Sequence, residues 1–212
     1  MNTKPLILIG GGGHCKSCIE VIETEGRYVI EGILDQKEKK GEKILDYTII
    51  GEDDDIDSYI KKGYSFLITV GHIKTSFLRR KLYDQLKQKN ASIATIISPG
   101  AMVSKHATIG EGTIIMHGAI VNAGVTIGEN IILNTNCLIE HDAKVESHVH
   151  ISTHAILNGA AVVEQGSFIG SNAVVTQGVL VGKDIIVGAG TVIISDLLTP
   201  GTYVGNPARL IK

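Results

Sequence analysis

Hydrophobic and polar residues follow two different patterns along the chain, and the pattern changes near residue 100. In the first part, short apolar runs alternate with segments whose apolar residues recur at helical spacing. The apolar runs predict strands at residues 5–9, 28–34, 47–50 and 66–70. The intervening segments predict helices at residues 14–24, 53–62 and 76–89. Because strands alternate with helices, we expect a Rossmann-like α/β domain with a small parallel sheet over residues 1–95.

From Ala101 to Asp196 the sequence repeats with a period of six and has no insertion. The third residue of every hexad is Val, Ile or Leu, and Gly recurs at the fourth or sixth place. An α-helix cannot keep a period of six on one face, and a plain strand alternates every two residues. A short strand followed by a turn does fit this period, and three such hexads close one triangular coil. The repeats therefore predict a parallel β-helix within residues 96–212, in which residues eighteen positions apart stack.

A β-sandwich is the alternative, but it predicts turns every 8–12 residues and irregular loops, which an unbroken period of six does not suit. After Ser195 the sequence DLLTPGTYVGNPARLIK leaves the register. We expect this segment to form a cap or tail against the β-helix or a neighbouring subunit.

Composition narrows the classes of partner. The net charge is −2 and the acidic and basic residues are mixed, so the chain lacks the basic footprint of a nucleic-acid-binding protein and a polybasic membrane patch. Three cysteines do not make a secreted disulfide framework, and no apolar run suits a signal peptide or a membrane span. We expect a cytoplasmic protein that binds neither nucleic acid nor membrane.

Four consecutive glycines, in the sequence LILIGGGGHCKSC, separate the first predicted strand from the first predicted helix. The dinucleotide fingerprint G-x-G-x-x-G is broken, because its third glycine falls on Cys15 or Lys16. A glycine turn before a helix N-terminus still suits a phosphate group, and Asp35 lies where such folds recognise a nucleoside. A turn without a ligand and a redox pair formed by Cys15 and Cys18 are the alternatives.

Three motifs resemble one family. A βαβ domain that begins with G-G-G-H, a β-helix that contains NTNCLIEHD (residues 134–142) and an ending in GNPAR (residues 205–209) are similar to the bacterial nucleotide-sugar acetyltransferases. This family includes UDP-4-amino-sugar and GDP-perosamine N-acetyltransferases and sialic acid O-acetyltransferases. The resemblance implies a left-handed β-helix, acetyl-CoA as co-substrate, a nucleotide-sugar substrate and a homotrimer.

The resemblance also implies roles for individual residues. His141 is expected to be the general base, and Asp142, where relatives carry Glu, to polarise it. The expected substrate-binding residues are Gly12, Gly13, His14, Asp35, Lys37 and Asn134. The expected coenzyme-binding residues are His150, Gly159, Ser171, Ala189, Gly205, Pro207 and Arg209.

The position of His141 in the repeat supports its expected role. It occupies the fifth place of its hexad, at a corner of the coil, and its stacked neighbours eighteen residues away are the small residues Ala123 and Gly159. Small neighbours leave space for a ligand beside the imidazole, and a backbone N–H near Gly159 would suit an oxyanion. An imidazole beside a carboxylate has a pKa that suits a base at neutral pH.

These observations predict an acetyl-CoA-dependent N-acetyltransferase acting on a UDP-linked 4-amino-deoxysugar in bacterial glycan biosynthesis. The alternatives within the class are an O-acetyltransferase of sialic acid or another polysaccharide sugar and a GDP-amino-sugar N-acetyltransferase. A non-catalytic β-helix scaffold is the alternative outside it. We expect no metal, because the spacing of His148, His150 and His154 does not match zinc motifs.

Overall fold

The computed structural model describes residues 3–212. Its first part is a six-stranded sheet in the order β3-β4-β2-β1-β5-β6. The strands are β1 (Lys4–Ile9), β2 (Tyr28–Leu34), β3 (Lys43–Ile44), β4 (Tyr47–Gly51), β5 (Ser65–Ile68) and β6 (Ser92–Ile93). The helices are α1 (Gly13–Glu25), α2 (Ile56–Lys61) and α3 (Phe77–Gln88), with single 3₁₀ turns at Lys37–Lys39 and Asp53–Asp55. All pairs are parallel except β3 with β4, so the expected small parallel sheet is confirmed.

The predicted helix over residues 53–62 is wrong in its first turn. Glu52 and Asp55 exchange side-chain-to-backbone hydrogen bonds in a capping box around the 3₁₀ turn, and the α-helix starts only at Ile56. The strand predicted to end at residue 70 ends at Ile68, and the Thr69 hydroxyl then donates to the carbonyl oxygen of Gly10 at 2.6 Å. The short strands β3 and β6 were not predicted.

The hexads form two-residue strands at intervals of six, as the period predicts. They are β8 (Met102–Val103), β9 (Thr108–Ile109), β10 (Ile114–Ile115), β11 (Ile120–Val121), β12 (Thr126–Ile127), β13 (Ile132–Leu133), β14 (Leu138–Ile139), β15 (Lys144–Val145), β16 (His150–Ile151), β17 (Ile156–Leu157), β18 (Val162–Val163), β19 (Phe168–Ile169), β20 (Val174–Val175), β21 (Leu180–Val181), β22 (Ile186–Val187) and β23 (Val192–Ile193). One further strand, β7 (Ile96–Ile97), precedes them and pairs with β10. Strands three apart in order pair in parallel, which confirms the β-helix.

The strands build a three-sided prism. The first face contains β7, β10, β13, β16, β19 and β22, the second β8 to β23 in steps of three, and the third β9 to β21 in steps of three. We call the edge between the first and second faces the first corner. The edge between the second and third faces is the second corner, and the edge between the third and first faces is the third corner. The aliphatic residues at the third hexad place fill the core.

The backbone at each corner explains which residues occupy the sixth hexad place. From Gly112 to Gly190 this residue has a positive φ, which glycine, asparagine, aspartate and histidine tolerate best. The turn therefore selects Gly at some corners, as at Gly124 (φ 76°), and a small polar side chain at others, as at Asp142 (φ 62°). A corner residue with a polar side chain projects a functional group from the prism edge.

The C-terminal segment is more regular than expected. It was predicted as a cap or tail outside the register, but residues Thr202–Val204 form β24, parallel to β22, and Arg209–Leu210 form β25, antiparallel to β24. The side chain of Tyr203 joins the prism core. This hairpin extends the first face by two strands because its backbone pairs with the last strand of that face.

The first face of the prism also carries the N-terminal sheet. Cys18 and Ile19 of α1 share a buried cluster with Ile96, Ile114 and Ile132 of the prism. The division at residues 95 and 96 stays a prediction, because this cluster joins both parts. No helix within residues 3–212 is long and apolar enough to cross a membrane.

Candidate active site

His141 and Asp142 lie at the second corner, in the turn between β14 and β15. The imidazole Nδ1 donates to Asp142 Oδ2 at 2.9 Å, and both side chains are exposed (63% and 68%). The contact is direct because the left-handed backbone at Asp142 turns the carboxylate back toward the preceding ring. The hydrogen bond to Asp142 raises the pKa of His141 above its ordinary value. Since Nδ1 carries the donated hydrogen, Nε2 is the acceptor nitrogen that remains free.

Gly159 lies one coil further along the prism, directly against the imidazole. A Cβ atom at Gly159 would lie 2.8 Å from both Nε2 and Cε1 of His141. The His141 carbonyl accepts from the backbone N–H of Ala160, so the two corners are held in register. The free nitrogen of the ring therefore faces a stretch of backbone with no side chain.

We expect Gly159→Ala to lower acetyl transfer by about 10- to 100-fold, because the new methyl group displaces the imidazole from its position. Thermal stability should change little, since His141 is exposed and can rotate away. The measurement is kcat beside a melting curve, with Gly178→Asn as the control, because Gly178 lies in the next coil of the same corner, has open space at its Cβ position and has a left-handed backbone (φ 69°) that asparagine tolerates. Equal losses in the two variants would mean that the ring contact has no role.

A second group of predicted residues lines a pocket where the sheet meets the prism. Gly12, Gly13 and His14 form one wall at the N-terminus of α1, and a Cβ atom at either glycine would meet nothing within 4 Å. The pocket is open to solvent and has a volume of about 680 Å³. A helix N-terminus with uncovered glycines is suited to bind a phosphate group.

Asp35 also lines this pocket and braces the glycine loop. Its Oδ2 accepts from the backbone N–H of Gly11 at 2.6 Å, and its Oδ1 accepts from Gln36 N–H at 2.7 Å and Lys39 at 3.2 Å. Burial alone would raise the pKa of Asp35, but these hydrogen bonds outweigh burial and lower it. Lys39, which sequence reasoning missed, lines the pocket, whereas the predicted Lys37 lies outside its lining.

The prism closes the pocket with His150, which was predicted to lie near the coenzyme. The structure places it beside the glycine loop, buried, with its ring 6.2 Å from that of His14. Its Nδ1 donates to the carbonyl oxygen of His72 at 2.8 Å, and its Nε2 accepts from Asn134 at 3.2 Å. Asn134, predicted to face the sugar, thus contacts His150 from the first corner but is not part of the pocket lining.

The remaining predicted coenzyme residues lie along the first corner toward the C-terminal hairpin. Ser171 shares a hydrogen bond of 3.0 Å with Ser152, and Ala189 follows one coil later. Gly205, Pro207 and Arg209 belong to the hairpin, and the Asn206–Pro207 peptide bond is cis. This edge is a continuous, mostly small-residue surface that ends at the exposed Arg209.

Within one chain the predicted residues therefore form three groups. The base and Gly159 are at the second corner, the pocket residues are on the first face, and the other coenzyme residues are along the first corner. Their roles stay predictions, and the first-face pocket does not include the second corner of the same chain.

The structure also bears on two questions raised by the sequence, a redox pair of cysteines and a metal site. Cys15 and Cys18 are buried in α1, and burial raises the pKa of Cys15 to about 11 and that of Cys18 further, which opposes thiolate chemistry. Within residues 3–212, no group of three or more His, Cys, Asp and Glu side chains is placed to hold a metal ion.

Two family models match separate parts of the chain. Residues 5–86 match the PglD N-terminal domain, and residues 161–195 match the hexapeptide repeat of succinyl-transferase. Among curated proteins no sequence matches the chain significantly.

Similar solved structures cover nearly the whole chain. The acetyltransferase domain of PglB from Neisseria gonorrhoeae, in complex with acetyl coenzyme A, is 30% identical, with a TM-score of 0.92 and coverage of 99% of this chain and 100% of that one. PerB from Caulobacter crescentus, in complex with CoA and GDP-perosamine, is 30% identical, with a TM-score of 0.91 and coverage of 100% and 99%. WeeI from Acinetobacter baumannii, 22% identical with a TM-score of 0.88 and coverage of 99% and 100%, shares the fold.

Proposed function

The chain belongs to the family of bacterial nucleotide-sugar acetyltransferases, and we propose that it transfers the acetyl group of acetyl-CoA to the amine of a nucleotide-linked 4-amino sugar. The observation that carries this proposal is the His141 imidazole, oriented by Asp142 and with its free nitrogen facing Gly159. A thioester is already activated, so the protein has to supply only a base, an oxyanion donor and alignment.

The reaction follows from that geometry. The sugar nitrogen attacks the thioester carbonyl carbon as Nε2 of His141 accepts the proton that the nitrogen loses. The backbone N–H of Gly159 donates to the oxygen of the tetrahedral intermediate. When the carbon–sulfur bond breaks, the proton passes from the imidazole to the leaving thiolate, and the neutral base is restored. Asp142 keeps the hydrogen on Nδ1 and stabilises the transient imidazolium.

We place the site between two subunits of a homotrimer. The pocket on the first face would hold the nucleotide sugar, with its diphosphate at Gly12 and Gly13, and the partner's second corner would supply His141. This arrangement is supported by the separation of the two groups within one chain, because one subunit's pocket excludes its own base. The first corner, from Ser171 to Arg209, would hold the coenzyme in the cleft between the prisms.

For the nucleotide we propose UDP. Gln36 lies in the pocket lining beside Asp35, and its side-chain amide both donates and accepts hydrogen bonds. The edge of uracil carries one N–H between two carbonyl oxygens, which an amide can pair. A GDP-linked amino sugar is the second candidate, favoured by the similarity to PerB. O-acetylation of sialic acid is the third, because the same base would deprotonate a hydroxyl group.

The test is release of free thiol from acetyl-CoA with UDP- and GDP-linked 4-amino sugars, the matching sugars with a hydroxyl group in place of the amine, and sialic acid. We expect release only with an amino sugar, and faster release with the UDP form. Release with sialic acid alone would replace the proposal by O-acetylation, and no release with any acceptor would contradict acetyl transfer.

The pH profile should depend on Asp142. The hydrogen bond to Asp142 raises the pKa of His141, and a base acts only when deprotonated, so activity falls as the pH drops through that raised pKa. In Asp142→Asn the pKa returns toward its ordinary value, so the acidic limb of the kcat/KM profile should move to lower pH while the plateau falls by about tenfold. An acidic limb that stays in place would assign it to another group.

A further inference from the structure

His72 is a buried residue of the pocket whose ring nitrogens have no protein partner. It lies in the loop between β5 and α3, lines the pocket and is only 7% exposed. Neither Nδ1 nor Nε2 of His72, nor Nε2 of the neighbouring His14, forms a hydrogen bond within residues 3–212. Buried polar groups are almost always paired, because an unpaired one retains its full desolvation cost. These atoms are therefore suited to bind a ligand.

The His72 ring is held by its neighbours and not by its own nitrogens. It packs edge-on against His150 at 5.5 Å and against Phe168 at 6.4 Å. Its backbone carbonyl accepts the Nδ1–H of His150, whose Nε2 is already paired with Asn134. His150 has thus used both nitrogens within the protein, whereas neither nitrogen of His72 is paired within residues 3–212 and the ring is fixed by packing.

The charge state of these rings limits what they bind. Burial lowers the pKa of His72 to about 3, and the backbone of Ser167, which approaches the ring outside hydrogen-bond geometry, offsets only part of that effect. Burial, with the nearby Arg79 cation, also lowers the pKa of His14 to about 3. Both rings are therefore neutral at pH 7, and each has one N–H donor and one acceptor nitrogen. Hydroxyl groups can donate to the acceptor nitrogen of such a ring or accept from its N–H, whereas a phosphate oxygen only accepts.

The position of His72 in the pocket agrees with binding of a sugar hydroxyl group. The uncovered backbone at Gly12 and Gly13 suits the diphosphate, and Asp35 and Gln36 are the lining residues to which the proposed function assigns the nucleoside. His72 lies on the side of the pocket formed by the prism, packed against His150. We propose that His72, with His14 beside it, binds hydroxyl groups of the hexose and thereby selects the sugar. This inference rests on the proposed function, because it assumes that the pocket holds a nucleotide sugar.

The test is His72→Phe, which keeps the aromatic packing and removes both nitrogens. By calorimetry, the dissociation constant of GDP-perosamine or a UDP-linked 4-amino-6-deoxyhexose, whichever wild-type protein binds, should rise about 10- to 100-fold. The dissociation constant of the matching free nucleoside diphosphate should stay within about twofold of wild type. The melting temperature of the ligand-free variant should be equal or higher, since two orphaned buried atoms are gone.

His148→Asn is the matched control. His148 is 6% exposed and packs edge-on against Tyr83, but its Nδ1 is hydrogen-bonded to Asn130 and it does not line the pocket. Asparagine tolerates its left-handed backbone (φ 65°). This variant should lose stability and keep both affinities.

Three results for His72→Phe would overturn the inference. The first is an unchanged affinity for the nucleotide sugar. The second is an equal loss of affinity for the nucleoside diphosphate, which would assign His72 to the diphosphate. The third is a melting temperature lowered as much as in His148→Asn, which would make the role of His72 structural. If wild-type protein binds neither nucleotide sugar, the proposed function fails instead.

Discussion

His141→Ala should lower kcat for acetyl transfer by about 10²- to 10⁴-fold, the range that a positioned general base contributes. Acetyl-CoA binding and the melting temperature should stay close to wild type, because the side chain is exposed and pairs only with Asp142. Steady-state kinetics, calorimetry and a melting curve measure the three quantities. His106→Ala, an exposed histidine at the same corner without a carboxylate partner among residues 3–212, is the control and should be fully active. Near-normal turnover by His141→Ala would contradict the base assignment.

The same variant tests the sharing of the site between subunits. Gly13→Glu would place a negative charge at the helix N-terminus where the diphosphate is expected, and it should be inactive by itself. If each site takes its base and its pocket from different subunits, mixed oligomers of the two inactive variants contain some intact sites. Activity recovered after joint refolding supports the shared site, and a mixture that stays inactive contradicts it.

Arg79→Met should lower the free energy of unfolding by about 3–5 kcal/mol. The guanidinium is fully buried between α3 and the prism, and it donates to the carbonyl oxygens of Ile68 (2.7 Å), Val70 (2.9 Å) and Asn130 (3.2 Å). Methionine fills similar space but leaves three buried acceptors without a donor. Removing the buried cation also removes its desolvation penalty, but this gain offsets only part of the cost of the three unpaired acceptors.

For a chain of this size that loss corresponds to a melting temperature lower by about 6–20 °C. The control is Arg80→Met, since Arg80 lies next in sequence and makes only a surface pair with Asp184 at 3.4 Å. That change should stay within about 0.5 kcal/mol. Equal melting temperatures for the two variants would show that the prism and the sheet do not depend on the Arg79 contacts.

The β-helix could be predicted from sequence because its determinants are local and repeated. Each hexad places an aliphatic residue inward, and most place at the corner a residue that tolerates positive φ, so the period is visible without knowledge of distant contacts. The C-terminal hairpin was missed because β24 pairs with β22 after a break in the period. Its partner is set by tertiary structure and not by the repeat.

The candidate site was predictable only in part. His141 and Gly159 are related by the eighteen-residue stacking and Asp142 directly follows His141, so both contacts of the imidazole could be expected from the repeat and the sequence. Arg79 and His72 carry no such signal, because a single Arg in an amphipathic helix and a single His after a strand are typical of exposed residues. Both side chains are buried only because the N-terminal sheet packs on the prism. That packing gives Arg79 its carbonyl partners and leaves the ring nitrogens of His72 without a partner in residues 3–212.

The central claim is that this protein moves an acetyl group from acetyl-CoA to the amine of a nucleotide sugar. The most direct measurement is mass spectrometry and NMR of the nucleotide sugar after incubation with isotope-labelled acetyl-CoA, with and without the protein. We predict one labelled acetyl group on the sugar nitrogen, formed by wild-type protein and lost in His141→Ala. Label on a sugar oxygen, or a nucleotide sugar that stays unlabelled while another acceptor takes the acetyl group, would contradict it.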